Sequence, residues 1–241
     1  MADGGYGIEV PGTGADLARY DGLDGLALVR AMIRKEFPGR IALVSSFGAE
    51  AAVMLDLVAR VDPAIPVLFL ETGKHFGETI EYRRALAKHI GLSNVRDVRP
   101  GPTDLAEFDP EGTLAGYDPD ACCKIRKVRP LARALAGFDA WFTGRKRFQG
   151  EERKTLPGIE VEDGRVKINP LAEWRAADID RYYRERGLPR HPLHAQGYLS
   201  IGCEACTKPV AEGEDSRSGR WAGMEKTECG IHSPNHPALA G

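Results

Sequence analysis

The chain lacks any apolar run long enough to cross a bilayer. Ile65-Pro66-Val67-Leu68-Phe69-Leu70 is among its longest, far short of the roughly 20 residues a membrane helix needs. Met1 to Tyr20 is Gly-rich and acidic, without the basic-then-apolar order of an export signal. A cytoplasmic protein with no membrane contact is therefore expected. A dominant charge of one sign is also missing: the net charge of -2 selects no partner, and no nucleic-acid-reading motif is present. Neither a Walker A loop nor a GxGxxG fingerprint occurs. Cysteine is scarce, with five in 241 residues. An odd set in a reducing compartment points to metal binding or catalysis before disulfides.

What is present suits a globular α/β protein. Hydrophobic residues make up 42% and charged residues 28%, enough for a sizeable core under a soluble surface. Strand-like runs at 41–46, 65–70, 94–98 and 139–143 alternate with helical periodicity through Ala52, Leu55 and Val58 and through Ile80, Leu86 and His89. Asp118-Pro119 reads as an N-cap followed by proline at the first helical position, opening a helix over 119–136 that Pro130 should kink. Val161 to Ile168, around Asp163-Gly164, reads as a hairpin, and 174–186 as a further helix. This alternation predicts a doubly wound, mostly parallel sheet with ligands at the carboxyl ends of its strands. The expected organisation is an N-terminal segment (1–35), a nucleotide-binding α/β domain (36–191) and a flexible C-terminal tail (192–241). The tail is Gly-, Pro- and His-rich, so its order should come from something other than a core.

Chemistry gathers at a few places. Ser45-Ser46-Phe47-Gly48-Ala49-Glu50 follows the first strand, where small residues before a helix can turn N–H groups and hydroxyls toward an anion. An ordinary βα turn is the bland alternative. The second strand ends in Leu70-Glu71-Thr72-Gly73 at the same edge. From Lys124 to Lys154 there are ten Lys/Arg against three Asp/Glu, either a solvated face or a seat for an anionic ligand.

The cysteines say more. Cys122-Cys123 is an adjacent pair, and Cys203 and Cys206 form a CxxC. Four thiolates fill the coordination of a zinc ion or an iron–sulfur cluster. Adjacent cysteines bend awkwardly toward one tetrahedral ion, whereas a cubane offers separate corners, so the spacing favours a cluster. Both lie in the first turn of their helix, where the dipole favours thiolate. Lys127, four residues after Cys123, shares its helix face and either offsets thiolate charge or is a plain surface lysine. Cys229, in Glu228-Cys229-Gly230-Ile231-His232, is left over as a nucleophile or a passive thiol.

Together SSFGAE, LETG, CCKIRKVRPL, GRKRFQGEER, SIGCEACTKPV, GEDSRSGRW and ECGIH resemble the assimilatory adenylyl-sulfate/phosphoadenylyl-sulfate reductase family, over residues 40 to 232. The CC plus CxxC set resembles its cluster-containing branch, which mostly uses adenylyl sulfate (APS) rather than the 3′-phosphorylated nucleotide (PAPS). The resemblance implies an adenine nucleotide alpha-hydrolase-like fold and reduction of APS to sulfite and AMP. It implies a [4Fe-4S] cluster on Cys122, Cys123, Cys203 and Cys206, and Cys229 as the residue that accepts a sulfo group. Thioredoxin or a similar dithiol reductant would then release sulfite. Ser45, Ser46, Phe47 and Gly48 would line the nucleotide pocket, with Leu70 and Gly73 near adenine or ribose. Lys127 would lie between cluster and substrate, and Arg145, Arg217 and Arg220 would meet phosphate and sulfate oxygens. Homo-oligomers occur in that family. The competing expectations are an ATP-using adenylyltransferase or pyrophosphatase of the same fold with a structural zinc, a reductase that also takes PAPS, and a non-enzymatic iron–sulfur protein.

Overall fold

The computed structural model describes residues 17–232. Leu17–Tyr20 forms a short 3-10 turn, and helix α1 (Gly25–Ala31) runs on into a π turn, Met32–Glu36. Leu17, Leu28, Val29 and Met32 are at most 1% exposed and belong to the main core. The alternating body follows: β1 (Ile41–Ser45), α2 (Ala51–Val61), β2 (Val67–Leu70), α3 (Gly77–His89), β3 (Val95–Val98), α4 (Pro102–Phe108), α5 (Pro119–Cys123), α6 (Arg129–Leu135), β4 (Ala140–Phe142), β5 (Ile159–Glu162), β6 (Arg165–Ile168) and α7 (Ala176–Arg186).

The strands form one sheet in the order β3-β2-β1-β4-β6-β5. Every pairing is parallel except β5 with β6. β1, β2 and β4 are continuous apolar runs because layers cover both of their faces. The expected hairpin is β5–β6, and its turn places Asp163 at φ 50° and Gly164 at φ 71°, the left-handed pair that a tight two-residue connection requires.

The helix expected over 119–136 runs on without interruption from Pro119 to Leu135, and its irregularity falls just before Pro130. The chain widens one turn earlier into a π turn, Lys124–Val128, and regains α geometry at Arg129. Pro130 then sits just after the widened turn, which absorbs the helix hydrogen bond that its missing N–H cannot make. The wide turn carries Arg126 inward. Arg126 Nη1 donates to the Thr72 carbonyl (2.8 Å), and Nη2 pairs with Asp109 Oδ2 (2.5 Å). Asp109 also accepts the Leu114 N–H (2.9 Å). One buried guanidinium thus fastens the cysteine-bearing helix to the loop after β2, through Thr72, and to the end of α4, through Asp109.

Beyond α7 the chain lies across the carboxyl ends of the strands. Its order comes from scattered anchors: Leu193, Ile201 and Trp221 are buried, and Glu204 N–H donates to the Lys74 carbonyl (2.8 Å). A Cβ on Gly48 would lie 2.7 Å from the Ile201 carbonyl oxygen, so the loop after β1 must be glycine there to let this segment approach. Breaking the Arg126–Asp109 pair strands a buried guanidinium. Asp109→Ala is expected to cost about 3 kcal/mol in urea unfolding, while Arg19→Ala, which removes an exposed arginine, should leave the unfolding midpoint nearly unchanged.

Candidate active site

β1 lies between β2 and β4 although β2 follows it in sequence and β4 comes much later, so the connections leave β1 in opposite directions. That reversal opens a crevice at the carboxyl ends of these strands. A cavity fills it, walled by Ser45, Ser46 and Gly48 after β1 and by Leu70 and His75 at the end of β2. Thr143 to Lys146 after β4 form a third wall, and Lys127 enters from the π turn. The segment from Leu199 to His232 closes the last side with Arg217, Arg220, Trp221 and Cys229.

Of the sequence-predicted substrate residues, Ser45, Ser46, Gly48, Leu70, Lys127, Arg145, Arg217 and Arg220 line this cavity together with Cys229. Phe47 and Gly73 are not among its lining residues. Phe47 takes a left-handed φ of 51°, which turns its ring into the core, edge-on to Phe69 at 5.6 Å. Gly73 faces the Arg126 guanidinium. Sequence reasoning missed Glu50, Lys146, Gln149, Arg153 and Glu228, all of which line the cavity. They lie inside the quoted motifs, yet nothing in a run such as Arg145-Lys146-Arg147 announces which side chain turns inward.

The cavity's charges are mostly paired. Glu50 accepts from Lys146 Nζ (2.9 Å) and Gln149 Nε2 (2.7 Å), Arg145 pairs with Glu160, and Arg153 and Arg217 both reach Glu228. Among the described residues, Lys127 and Arg220 have no carboxylate partner, so they are the cations left for an incoming anion. Arg220 lies over the Trp221 ring, 4.4 Å from its centroid.

Cys122 and Cys123 close α5, and Cys203 and Cys206 bracket a 3-10 turn, Glu204–Cys206. All four are free thiols between 5% and 7% exposed, and Cys229 packs against Cys203, Cys206 and Trp221. Burial works against the thiolate stabilisation expected from the helix start of the adjacent pair. Burial pushes Cys122 up to about 11, and Cys203 adds to that. Burial likewise drives Cys123 to about 12 against the pull of Lys127. Burial acts on Cys203 too, but Lys127, the Thr72 hydroxyl at 3.4 Å and Arg220 together hold it below the usual thiol range. Lys127 in turn is buried, which alone would lower it, yet Cys203, Cys123 and Cys229 raise it above an ordinary lysine. The five sulfur atoms and this ammonium therefore form one electrostatic unit. Among the described residues, no three Cys, His, Asp or Glu side chains are arranged around a single metal ion. Four buried, unpaired thiols with Lys127, Arg126 and Arg220 beside them are a donor set that suits a larger, anionic thiolate-bound group.

This arrangement has relatives. Residues 40–209 match the family model of the phosphoadenosine phosphosulfate reductase domain. The chain belongs to that family. Two curated relatives named adenosine 5′-phosphosulfate reductase match along most of their length. That of Mesorhizobium japonicum is 50% identical, covering 96% of this chain and 91% of the relative. That of a Chelativorans species is 55% identical, covering 92% and 91%. The crystal structure of phosphoadenylyl-sulfate reductase from Candida auris, a phosphate complex, superposes with a TM-score of 0.66 at 26% identity, over 85% of this chain and all of that one. Yeast FAD synthetase shares the fold at a TM-score of 0.53 and 16% identity, over 77% and 66% of the two chains. The nucleotide alpha-hydrolase-like fold expected from sequence is thus the one observed.

His75 and His232 also line the cavity. His75 Nε2 donates to the Leu70 carbonyl (2.8 Å), and its Nδ1 has no partner. His232 stacks nearly parallel on Trp141 at 5.8 Å. Burial, followed by Arg145, Lys167, Arg153 and Arg217, drives His232 well below the usual histidine value. A base held low in the packed state stabilises packing above its free pKa, near 6.5, and loses that contribution as pH falls. Acidification from pH 7.5 to 5.5 is expected to weaken the packed state of His232 by about tenfold, read from the imidazole resonances of 15N-histidine-labelled protein. In Trp141→Ala the same resonances should titrate near the free value.

Proposed function

We propose that this protein reduces adenosine 5′-phosphosulfate to sulfite and AMP in the cytoplasm, with Cys229 carrying the sulfo group between two half-reactions. One observation supports the reading above all: Cys229 lines a cavity at the strand switch point of this fold together with Lys127, the buried ammonium that has no carboxylate partner. The naming of the relatives favours adenosine 5′-phosphosulfate as substrate over its 3′-phosphorylated form.

In the first half-reaction the Cys229 thiolate attacks the sulfur of the phosphosulfate anhydride. The new S–S bond forms as the bond from sulfur to the bridging oxygen breaks, and AMP departs with that oxygen and the bonding pair. An anionic nucleophile approaching an anionic sulfo group meets repulsion. Lys127 and Arg220 line the cavity and are placed to spread that charge. Arg217 contributes from the same wall, and Ser45, Ser46 and Gly48 receive the nucleotide beside the start of α2. In the second half-reaction a dithiol protein, thioredoxin or one like it, attacks Cys229 Sγ. Sulfite leaves, and the second thiol of the dithiol resolves the mixed disulfide and returns the Cys229 thiol. The dithiol supplies the two electrons and becomes a disulfide.

Cys122, Cys123, Cys203 and Cys206 would hold a [4Fe-4S] cluster, which when bound supplies a delocalised charge next to Lys127. The residues of the chain carry the remaining work: Lys127 is the cation common to the thiol group and the cavity, and the Thr72 hydroxyl shares a hydrogen bond with Cys203 Sγ (3.4 Å).

Cys229→Ser is expected to abolish sulfite release while AMP binding, measured by calorimetry, stays within about threefold of wild type. With 35S-labelled substrate and no dithiol, label should accumulate on Cys229 alone. Turnover retained in Cys229→Ser would end this reading. Lys127→Ala should slow formation of the labelled cysteine by about 100-fold, the scale of losing one preorganised charge at a developing anion.

A further inference from the structure

Strand β5, at the edge of the sheet, inverts the alternation usual in such a strand. Val161 faces out at 40% exposure, whereas the side chains of its neighbours Glu160 and Glu162 are 27% and 11% exposed. An antiparallel edge strand with one solvated face ordinarily runs apolar in and polar out. Glutamates turned toward the protein need cations, and both have one. Glu162 pairs with Lys167, whose side chain is 1% exposed, and Glu160 pairs with Arg145. Lys167 stands opposite Glu160 in the β5–β6 register, with Nζ 4.0 Å from Oε1. Two buried cations are thus balanced by two carboxylates from one strand.

The contacts at Glu160 reach further. Its Oε1 accepts from Arg145 Nη2 and from Asn169 Nδ2 (3.1 Å), and Asn169 Nδ2 also donates to the Pro157 carbonyl (2.9 Å). Arg145 Nη2 lies 3.3 Å from Asn169 Oδ1, and Nε lies 3.4 Å from Thr143 Oγ1. Asn169 Oδ1 accepts the Thr143 hydroxyl in turn. The guanidinium is therefore gripped along Nε and Nη2, while Nη1 has no acceptor among the described residues. Arg145 and Thr143 line the cavity, whereas Glu160, Asn169 and Lys167 do not. The grip comes from behind the wall, and the unused nitrogen belongs to a side chain that lines it.

We infer that Glu160 is a positioning residue: with Asn169 it fixes the Arg145 guanidinium so that Nη1 is left to meet an oxygen of the phosphosulfate group. The inference rests on the reading that this cavity takes adenosine 5′-phosphosulfate. A long side chain left free loses its rotamer freedom when the anion arrives, which weakens the contact, whereas one held in advance does not. A donor aimed before charge develops also helps the transition state more than one that must swing into place. The carboxylate has a second effect of opposite sign, because a negative charge beside Arg145 weakens its pull on any anion through space. Aim and pull therefore predict opposite results when that charge is removed.

The test is a double-mutant cycle on full-length protein purified anaerobically, with sulfite release from adenosine 5′-phosphosulfate read as kcat/KM and thioredoxin as reductant. Glu160→Gln, which keeps the shape and removes the charge, is expected to lower kcat/KM about tenfold, the scale of one hydrogen bond between ionised groups. Arg145→Met should lower it further. Adding Glu160→Gln to Arg145→Met should change it less than about twofold, because nothing is left to position. Glu160→Asp, which retains the carboxylate, should recover most of the loss. If Glu160→Gln does not fold, Glu160→Gln/Lys167→Met keeps the buried charges balanced, and its loss is read against Lys167→Met alone.

An equal loss from Glu160→Gln with and without Arg145→Met marks a role in folding alone and overturns the inference. No loss, or a gain, overturns it too, since pull then outweighs aim. Wild type that releases no sulfite ends the functional reading and this inference together. Wild-type activity without coupling between Glu160 and Arg145 ends the inference alone, whichever residue carries the sulfo group.

Discussion

A lysine ammonium buried where five sulfur atoms meet is the constraint that organises this molecule. Taking such a charge out of water costs several kcal/mol unless negative partners surround it. Lys127 has no carboxylate to serve that purpose, and what raises it is Cys203, Cys123 and Cys229. One thiol depends on it in return. Burial raises Cys122, Cys123 and Cys206, whereas Cys203 is held low by Lys127, the Thr72 hydroxyl and Arg220. Remove the ammonium and Cys203 becomes an ordinary buried sulfhydryl. Remove the thiols and the ammonium has no reason to be inside.

The fold's task is to deliver these groups from four distant stretches of chain to one point. The strand order places the ends of β1, β2 and β4 side by side, so the loops of 45–50, 71–76 and 143–149 converge without long connections. The π turn does the rest. An extra residue within one helical turn brings Lys127 to the cavity and Arg126 to Thr72 and Asp109, while Cys122 and Cys123 precede it on the same continuous helix. Pro130 forbids an ordinary helix bond just beyond, and the widening falls where that prohibition begins.

How much of this was legible follows from which forces act locally. Ile41-Ala42-Leu43-Val44 declares a strand covered on both faces because every residue along it must be apolar. Asp163-Gly164 declares its turn because only such residues tolerate positive φ at little cost. Asp118-Pro119 declares a helix start, and Cys122-Cys123 with the CxxC declares a shared thiol site. The inward rotation of Phe47 was not legible. A phenylalanine at φ 51° is strained, and only the apolar space beside Phe69 compensates for it. Nor was the pairing of Glu50 with Lys146 and Gln149, because residues about a hundred apart meet there only once β1 and β4 are neighbours. The helix of 25–36 went unread because its apolar residues are interleaved with a π turn that departs from the period a helix pattern assumes.

The segment beyond residue 192 shows why a stretch with little hydrophobic periodicity can still be ordered. Periodic burial is the signature of an element that packs along its whole length. This segment instead packs at separated points: Leu193, Ile201, Trp221, the Glu228 ion pairs and Ile231. Each point is too small to hold a stretch of chain against its conformational entropy, which costs on the order of 1 kcal/mol per residue. Several together can do so, and local release of one stretch then leaves the sheet and its core untouched. Such spacing suits the role proposed for Cys229, which would meet a nucleotide inside the cavity and a protein outside it. Had the same residues been drawn into a regular helix packed on the sheet, exposing the thiol would have required unfolding part of the core. The irregular composition that made the segment hard to read is therefore the property its chemistry calls for.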